Sequence, residues 1–160
     1  MQISVFAVGR MKKGPEQELV GRYFDRFSKL APSLGLSFLN VHEIVESRLQ
    51  TASQRMEEEG EKLIATLSDD SRLIVLDERG KSMSSLNFAK ILQDWRDTGG
   101  KHMTIALGGP DGHSEAVRKR ADLLLSFGQM TWPHQIARIL LSEQLYRAAT
   151  ILSGHPYHRG

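Results

Sequence analysis

The sequence predicts one α/β domain whose mainly parallel sheet is covered by helices on both faces. Two observations carry that prediction. Short β-branched and aromatic runs alternate with longer segments of helical period along the chain. Most of those runs are continuously apolar, the pattern of strands buried on both faces. A length of 160 residues suits one core, and no linker, repeat or low-complexity segment divides it, so a single domain is expected over residues 1–160.

The elements follow in order. Residues 2–8 (QISVFAV) read as a buried strand ending at Gly9. Residues 15–30 place Leu19, Tyr23, Phe27 and Leu30 at helical spacing, closed by Pro32 and Gly35. A second strand is expected over 36–45. Thr51 and Gln54 form a capping-box pattern before a charged helix over 52–67, with Met56, Leu63 and Leu67 on its apolar side. LIVL (73–76) reads as a strand, 84–98 as a helix stopped by Gly99 and Gly100, and MTIAL (103–107) as a strand. Ser114 suits the cap of a short helix over 115–121; a last strand is expected over 123–127 and a final helix over 134–152.

Composition narrows the function classes. The chain has no cysteine, which removes disulfides, thiol nucleophiles and thiolate metal sites and suits a reducing cytosol. Its apolar N-terminal run precedes its charges, the reverse of a signal peptide, and no apolar stretch nears the ~20 residues of a membrane span. A cytoplasmic protein without membrane or metal partner is therefore expected. Net charge is only +2, but it is unevenly spread. Residues 1–40 carry six Lys/Arg against three acids, and residues 46–70 carry three against seven. A basic surface opposite an acidic one can orient a protein on a nucleic acid; ordinary variation over a solvated surface is the alternative.

Ligands in such sheets gather at the C-terminal ends of strands. Three strand ends are unusual here: Asp77-Glu78-Arg79-Gly80-Lys81, Gly108-Gly109-Pro110-Asp111-Gly112, and Gly128-Gln129-Met130-Thr131-Trp132-Pro133-His134. Gly108 and Gly109 admit close backbone approach and positive φ, and Pro110 and Gly112 suit positions i+1 and i+3 of a type I turn. A plain strand-to-helix turn is the alternative. No Lys-Ser/Thr follows this turn and no GxGxxG follows the first strand, which argues against phosphate-rich cofactors. In the third loop, backbone amides and carbonyls can read a purine edge while Phe127, Met130 and Trp132 sandwich its ring; ordinary packing is again the alternative.

Residues 131–160 form an apolar helix, a Gly-Pro break and an aromatic-basic tail, with Arg138, Arg147, Arg159, His134, His155 and His158 against one acid, Glu143. The helix is apolar over far more than one ~100° stripe, so burial on more than one side is expected. Glu143 and Arg147 stand at i,i+4 in the favourable order for an ion pair. A tail such as HPYHR would ordinarily fray, yet Tyr157 and Arg159 supply a stacking ring and a phosphate fork.

Leu76-Asp77 with Gly80-Lys81, then GGPDG, TWPH, SEQLYRA (142–148) and HPYHR occur in one order. In this the chain resembles, over essentially its whole length, the small bacterial SPOUT methyltransferases that methylate N3 of a pseudouridine in 23S rRNA (the RlmH type). The resemblance implies a deep C-terminal trefoil knot, bent S-adenosyl-L-methionine as cofactor, an obligate homodimer with a shared active site, and the assembled ribosome as substrate. It places Leu76, Gly108 and Phe127, Gly128, Gln129, Met130, Thr131 and Trp132 at the cofactor, although Trp132 departs from the smaller aliphatic residue expected there. Arg147, His134, Glu143 and His158 become candidates for the chemistry, and Tyr157, Arg159 and His155 for RNA contact. The alternatives are a non-enzymatic ribosome-associated RNA-binding protein, a small nucleotide-binding domain, and methylation of another RNA such as tRNA.

Overall fold

The computed structural model describes residues 1–159; Gly160, the last residue of the expected domain, lies outside the described residues. In chain order the elements are β1 (Gln2–Val8), α1 (Pro15–Leu30), a 3-10 turn (Ala31–Leu34), β2 (Ser37–Ile44), α2 (Ala52–Ala65) and β3 (Arg72–Lys81). They continue with α3 (Ser85–Asp97), β4 (His102–Leu107), α4 (Glu115–Arg120), β5 (Leu123–Leu125) and α5 (His134–Ser153). The five strands form one sheet in the order β2-β1-β4-β3-β5, and every pairing is parallel.

The unbroken apolar runs have a direct cause. From β1, Ile3, Val5 and Ala7 enter one core with Phe24 and Phe27 of α1, Leu92 of α3, and Leu141 and Leu145 of α5. Phe6 and Val8 point the other way, into a second core with Leu63 of α2 and Val117 of α4. β4 and β3 divide in the same manner, Ile105 and Ile74 on one side, Ala106 and Val75 on the other. A strand buried on both faces has no position where a polar side chain reaches water. The edge strand β2 is different, with Leu39 left half exposed at 50%.

Local signals are realised as chemistry. Thr51 and Gln54 complete a reciprocal capping box at α2, and Ser84 and Ser114 each accept a backbone N–H at the start of α3 and α4. Several boundaries move. The buried face of α1 is Val20, Phe24 and Phe27, with Leu19, Tyr23 and Leu30 beside it only half-buried. α2 ends two residues early, where the Thr66 hydroxyl donates to the Leu63 carbonyl at 2.7 Å. β5 stops at Leu125 rather than 127, because the Ser126 hydroxyl turns the chain by accepting from Gly128 N at 3.0 Å.

The largest departure is β3, expected over 73–76 and running to Lys81. Its polar second half lies over β5: Ser126 N donates to the Lys81 carbonyl at 3.0 Å and Ser126 Oγ to the Glu78 carbonyl at 3.2 Å. The two segments are so close that a Cβ on Gly80 would stand 2.7 Å from the backbone of Leu124.

Arg138, grouped by sequence with the cationic tail, is instead 5% exposed. It donates to the Glu43 carboxylate of β2 and to the Gly9 carbonyl after β1 at 3.1 Å. Glu43 also accepts Met11 N at 2.9 Å, so one ion pair, buried on its arginine side, fixes the turn between β1 and α1. Burial opposes ionisation of Glu43, but the Met11 N–H and the Arg138 guanidinium outweigh it and hold the carboxyl below its ordinary range.

Gly80→Ala is expected to destabilise the protein by about 1–3 kcal/mol through overpacking against Leu124, measured by urea unfolding. An unchanged midpoint would show that the crossing is looser than described.

Candidate cofactor and active site

The C-terminal ends of β3 and β4 and the loop after β5 open into a cavity of about 1210 Å³. Its lining includes Leu76, Leu107, Gly108, Leu125, Phe127, Gly128, Met130, Thr131 and Trp132, with Met56 and Glu57 of α2 on one wall and His134 and Ala137 of α5 on another. All the residues expected at the cofactor therefore meet there except Gln129, which is exposed and off the lining. Met130 and Trp132 form the rim, 75% and 42% exposed, and the Trp132 indole N–H donates to the Phe127 carbonyl at 3.4 Å.

The glycine turn closes as expected, Gly112 N donating to the Gly109 carbonyl at 3.0 Å. Gly108 and Gly109 are needed for a different reason than conformational freedom. Positive φ occurs at Gly112 (91°) and Gly128 (117°), not at Gly108 or Gly109. A Cβ on Gly108 would stand 3.0 Å from the His113 ring, and one on Gly109 3.0 Å from Glu59 Oε1 and 3.1 Å from Val8. Protein groups pack against one side of both glycines.

Sequence reasoning missed those groups. The His113 ring hydrogen-bonds the Leu76 carbonyl at 3.1 Å, which assigns its proton to Nε2, and so ties the ends of β3 and β4 together. Burial pushes its pKa down to about 4, against the smaller opposing effect of Asp77, so the ring is neutral near pH 7. Glu59 is 4% exposed; its Oε2 accepts Ser47 N at 2.8 Å, while Oε1 has no partner. Burial pushes its carboxyl above the usual carboxylate range. Asp77 pairs with Arg118 at 2.8 Å and Asp111 with Arg55 at 2.7 Å, contacts 41 and 56 residues apart in sequence. No local pattern announces partners at that separation. Glu57, Glu78 and Glu115 also line the cavity, and among the described residues they make no ion pair. The cavity therefore favours a cationic ligand.

The residues expected to carry chemistry fall into two groups. His134 opens α5 at the cavity mouth. Glu143 lies nine residues on, about 13 Å along the axis and on the opposite side of the helix. There Glu143 Oε1 accepts from Arg147 Nε at 2.8 Å and from the Tyr157 hydroxyl at 3.0 Å, and Arg147 donates to His158 Nδ1 at 3.1 Å. The Tyr157 ring packs on Tyr146 with centroids 4.8 Å apart and carries the Arg147 guanidinium 4.9 Å from its centre. Burial, reinforced by Glu143, holds the Tyr157 phenol protonated well above its ordinary pKa. Tyr157 and His158 are thus docked rather than frayed, while His155 and Arg159 are exposed.

Residues 1–158 match the family model described as "Predicted SPOUT methyltransferase". The chain belongs to the SPOUT methyltransferase family. A Bartonella bacilliformis protein named "Ribosomal RNA large subunit methyltransferase H" is 68% identical over 159 residues, covering 99% of both chains. A Brucella anthropi protein of the same name is 61% identical, also over 99% of both. Among solved structures, the SpoU methyltransferase AviRb from Streptomyces viridochromogenes, in complex with AdoMet, aligns with TM-score 0.42 at 15% identity, covering 90% of this chain and 56% of its own. No helix among the described residues of this SPOUT protein is long and apolar enough to cross a membrane. No group of three or more His, Cys, Asp or Glu among them is placed to hold a metal.

A neutral buried His113 makes stability depend on pH in a definite direction. Above pH 6.5 neither folded nor unfolded ring is protonated; between 6.5 and about 4 the unfolded chain takes up the proton alone, so stability falls with pH by up to about 3 kcal/mol. His113→Leu is expected to flatten that part of the unfolding profile. Parallel profiles for the two proteins would remove His113 from the account.

Proposed function

We propose that this SPOUT protein is an S-adenosyl-L-methionine-dependent methyltransferase that acts, as a homodimer, on N3 of a pseudouridine in 23S rRNA of the assembled ribosome. The observation that carries the reading is the cavity at the ends of β3 and β4, lined by the strand ends and loop that the family resemblance implies. Its chemistry fits the cofactor. Leu76, Leu107, Phe127 and Trp132 offer apolar surface for an adenine ring, the 127–132 backbone offers edge contacts, and unpaired carboxylates suit a cationic sulfonium. The names of the curated relatives support an rRNA target.

The bound cofactor supplies an already activated methyl group. What this chain adds is placement, exclusion of water, and help with the proton on a ring nitrogen. His134 at the mouth is an imidazole available as a proton acceptor and Glu143 is the carboxylate, while His158 must first release its Nδ1 from Arg147 to serve. Arg147 and Arg159 are suited to negative charge on ring carbonyls or flanking phosphates.

A homodimer explains why these groups lie apart. One chain holds the cavity and His134, while its Glu143–Arg147–Tyr157 cluster lies on the far side of α5; a second copy can bring its own cluster to the cavity mouth. Half-buried Ile136, Ile139 and Leu140 on α5 give that contact apolar surface. The knot belongs to the same reading, and the tight passage of Gly80 over Leu124 supports it.

Calorimetric titration with S-adenosylmethionine is expected to give saturable micromolar binding; no heat from folded protein would leave the RNA-binding alternative in its place. Arg147→Ala is expected to lower methyl transfer to ribosomes by about a hundredfold with near-normal cofactor affinity, and loss of cofactor binding would instead make it part of the pocket. Truncation after Gly154 is expected to abolish transfer while the fold survives, and normal turnover would exclude the tail.

A further inference from the structure

We propose that the turn between β1 and α1, residues 9–14, is a phosphate-contacting surface that seats single-stranded RNA across the cavity mouth through Arg10, Lys12 and Lys13. The proposal rests on the methyltransferase reading for the identity of the ligand, and the position of the contact comes from three features of the structure.

The first is location. β1 and β4 are neighbours, and Val8 closes against the glycine turn, 3.1 Å from where a Cβ on Gly109 would stand. Across the turn, Arg138 donates to the Gly9 carbonyl, while Ala137, the residue before it on α5, lines the cavity. The turn is therefore tied to α5 beside a residue of the cavity wall, while residues 9–14 are not themselves part of the lining.

The second is presentation. Arg10, Lys12 and Lys13 are exposed, and among the described residues none makes an ion pair. Glu43, the acid that feels Arg10 through space, is already occupied by Arg138 and the Met11 N–H. Glu16 and Glu18 follow in the first turn of α1, where the helix N-terminus favours them. Burying the Arg138 guanidinium costs desolvation that its Glu43 and Gly9 partners offset. Here the pair holds a short turn so that its cations face outward from a fixed backbone.

The third is charge on the opposite border. The α2 wall carries exposed Glu57 and, one turn on, Glu61. An RNA backbone is repelled there and attracted to the β1–α1 side, which leaves its base free to enter the cavity from that side. A base stacked in a duplex cannot make that entry, which selects a single strand.

The test measures binding of a fluorescein-labelled single-stranded RNA 20-mer by anisotropy across a KCl series, with cofactor affinity measured in parallel. Replacing Arg10, Lys12 and Lys13 together by Ala is expected to reduce the slope of log K against log salt by about two and leave cofactor affinity unchanged. Lys62→Ala, on acidic α2, is expected to leave the slope unchanged. An unaltered slope in the triple variant, or an equal loss in Lys62→Ala, overturns the proposal. So does absence of RNA binding by the unsubstituted protein; the methyltransferase reading then stands or falls separately on the cofactor titration. Loss of cofactor affinity in the triple variant would also overturn it, by making the turn part of the pocket.

Discussion

Burial of the three inner strands on both faces is the constraint on which the rest of this structure depends. The apolar stretches of β1, β4 and β3 have no side exposed to water, so helices must cover both faces: α1, α3 and α5 on one, α2 and α4 on the other. Because every strand runs parallel, all five C-terminal ends arrive at one edge. The polar turns excluded from the core collect there, and with them most of the groups able to bind or react. The cavity is a consequence of that collection.

Within the edge, two kinds of packing shape the site. Gly108 and Gly109 lie against His113 and Glu59, so the glycine turn is held from behind by a neutral imidazole and by a carboxyl whose pKa burial raises. His113 ties that turn to the end of β3. On the other side, the Arg138–Glu43 pair fixes the turn after β1. Unpaired carboxylates in the cavity lining thus lie near a turn that carries unpaired cations.

α5 performs two tasks because it is buried over more than one side. Its first turn closes the cavity, and its middle turns carry the Glu143–Arg147 pair to which Tyr157 and His158 return. A helix cannot bring residues nine apart to one point, so His134 and Glu143 serve different faces of α5. The tail is ordered by what it packs on: the Arg147 guanidinium and the Tyr146 ring.

Most of the fold was legible because period, caps and breakers act locally. The capping box at Thr51, the turn at Pro110 and the unbroken apolar runs report their structures within a few residues. Much of the site was legible too, since glycine-rich turns after parallel strands must lie at one edge, and the order of the terminal motifs pointed to one family. The polar half of β3, the burial of Arg138 and the partners of Asp77 and Asp111 were not. Each depends on groups 40 or more residues apart, whose cost of burial is met only by a partner the local sequence does not contain. The sequence by itself determined which apolar segments are strands, which segments are helices and which turns gather at one edge of the sheet. Only the tertiary structure decided which charges are buried as pairs, which remain free around the cavity, and that His134 and Arg147 lie on opposite sides of α5, because Coulomb attraction and desolvation depend on distance in space and not along the chain.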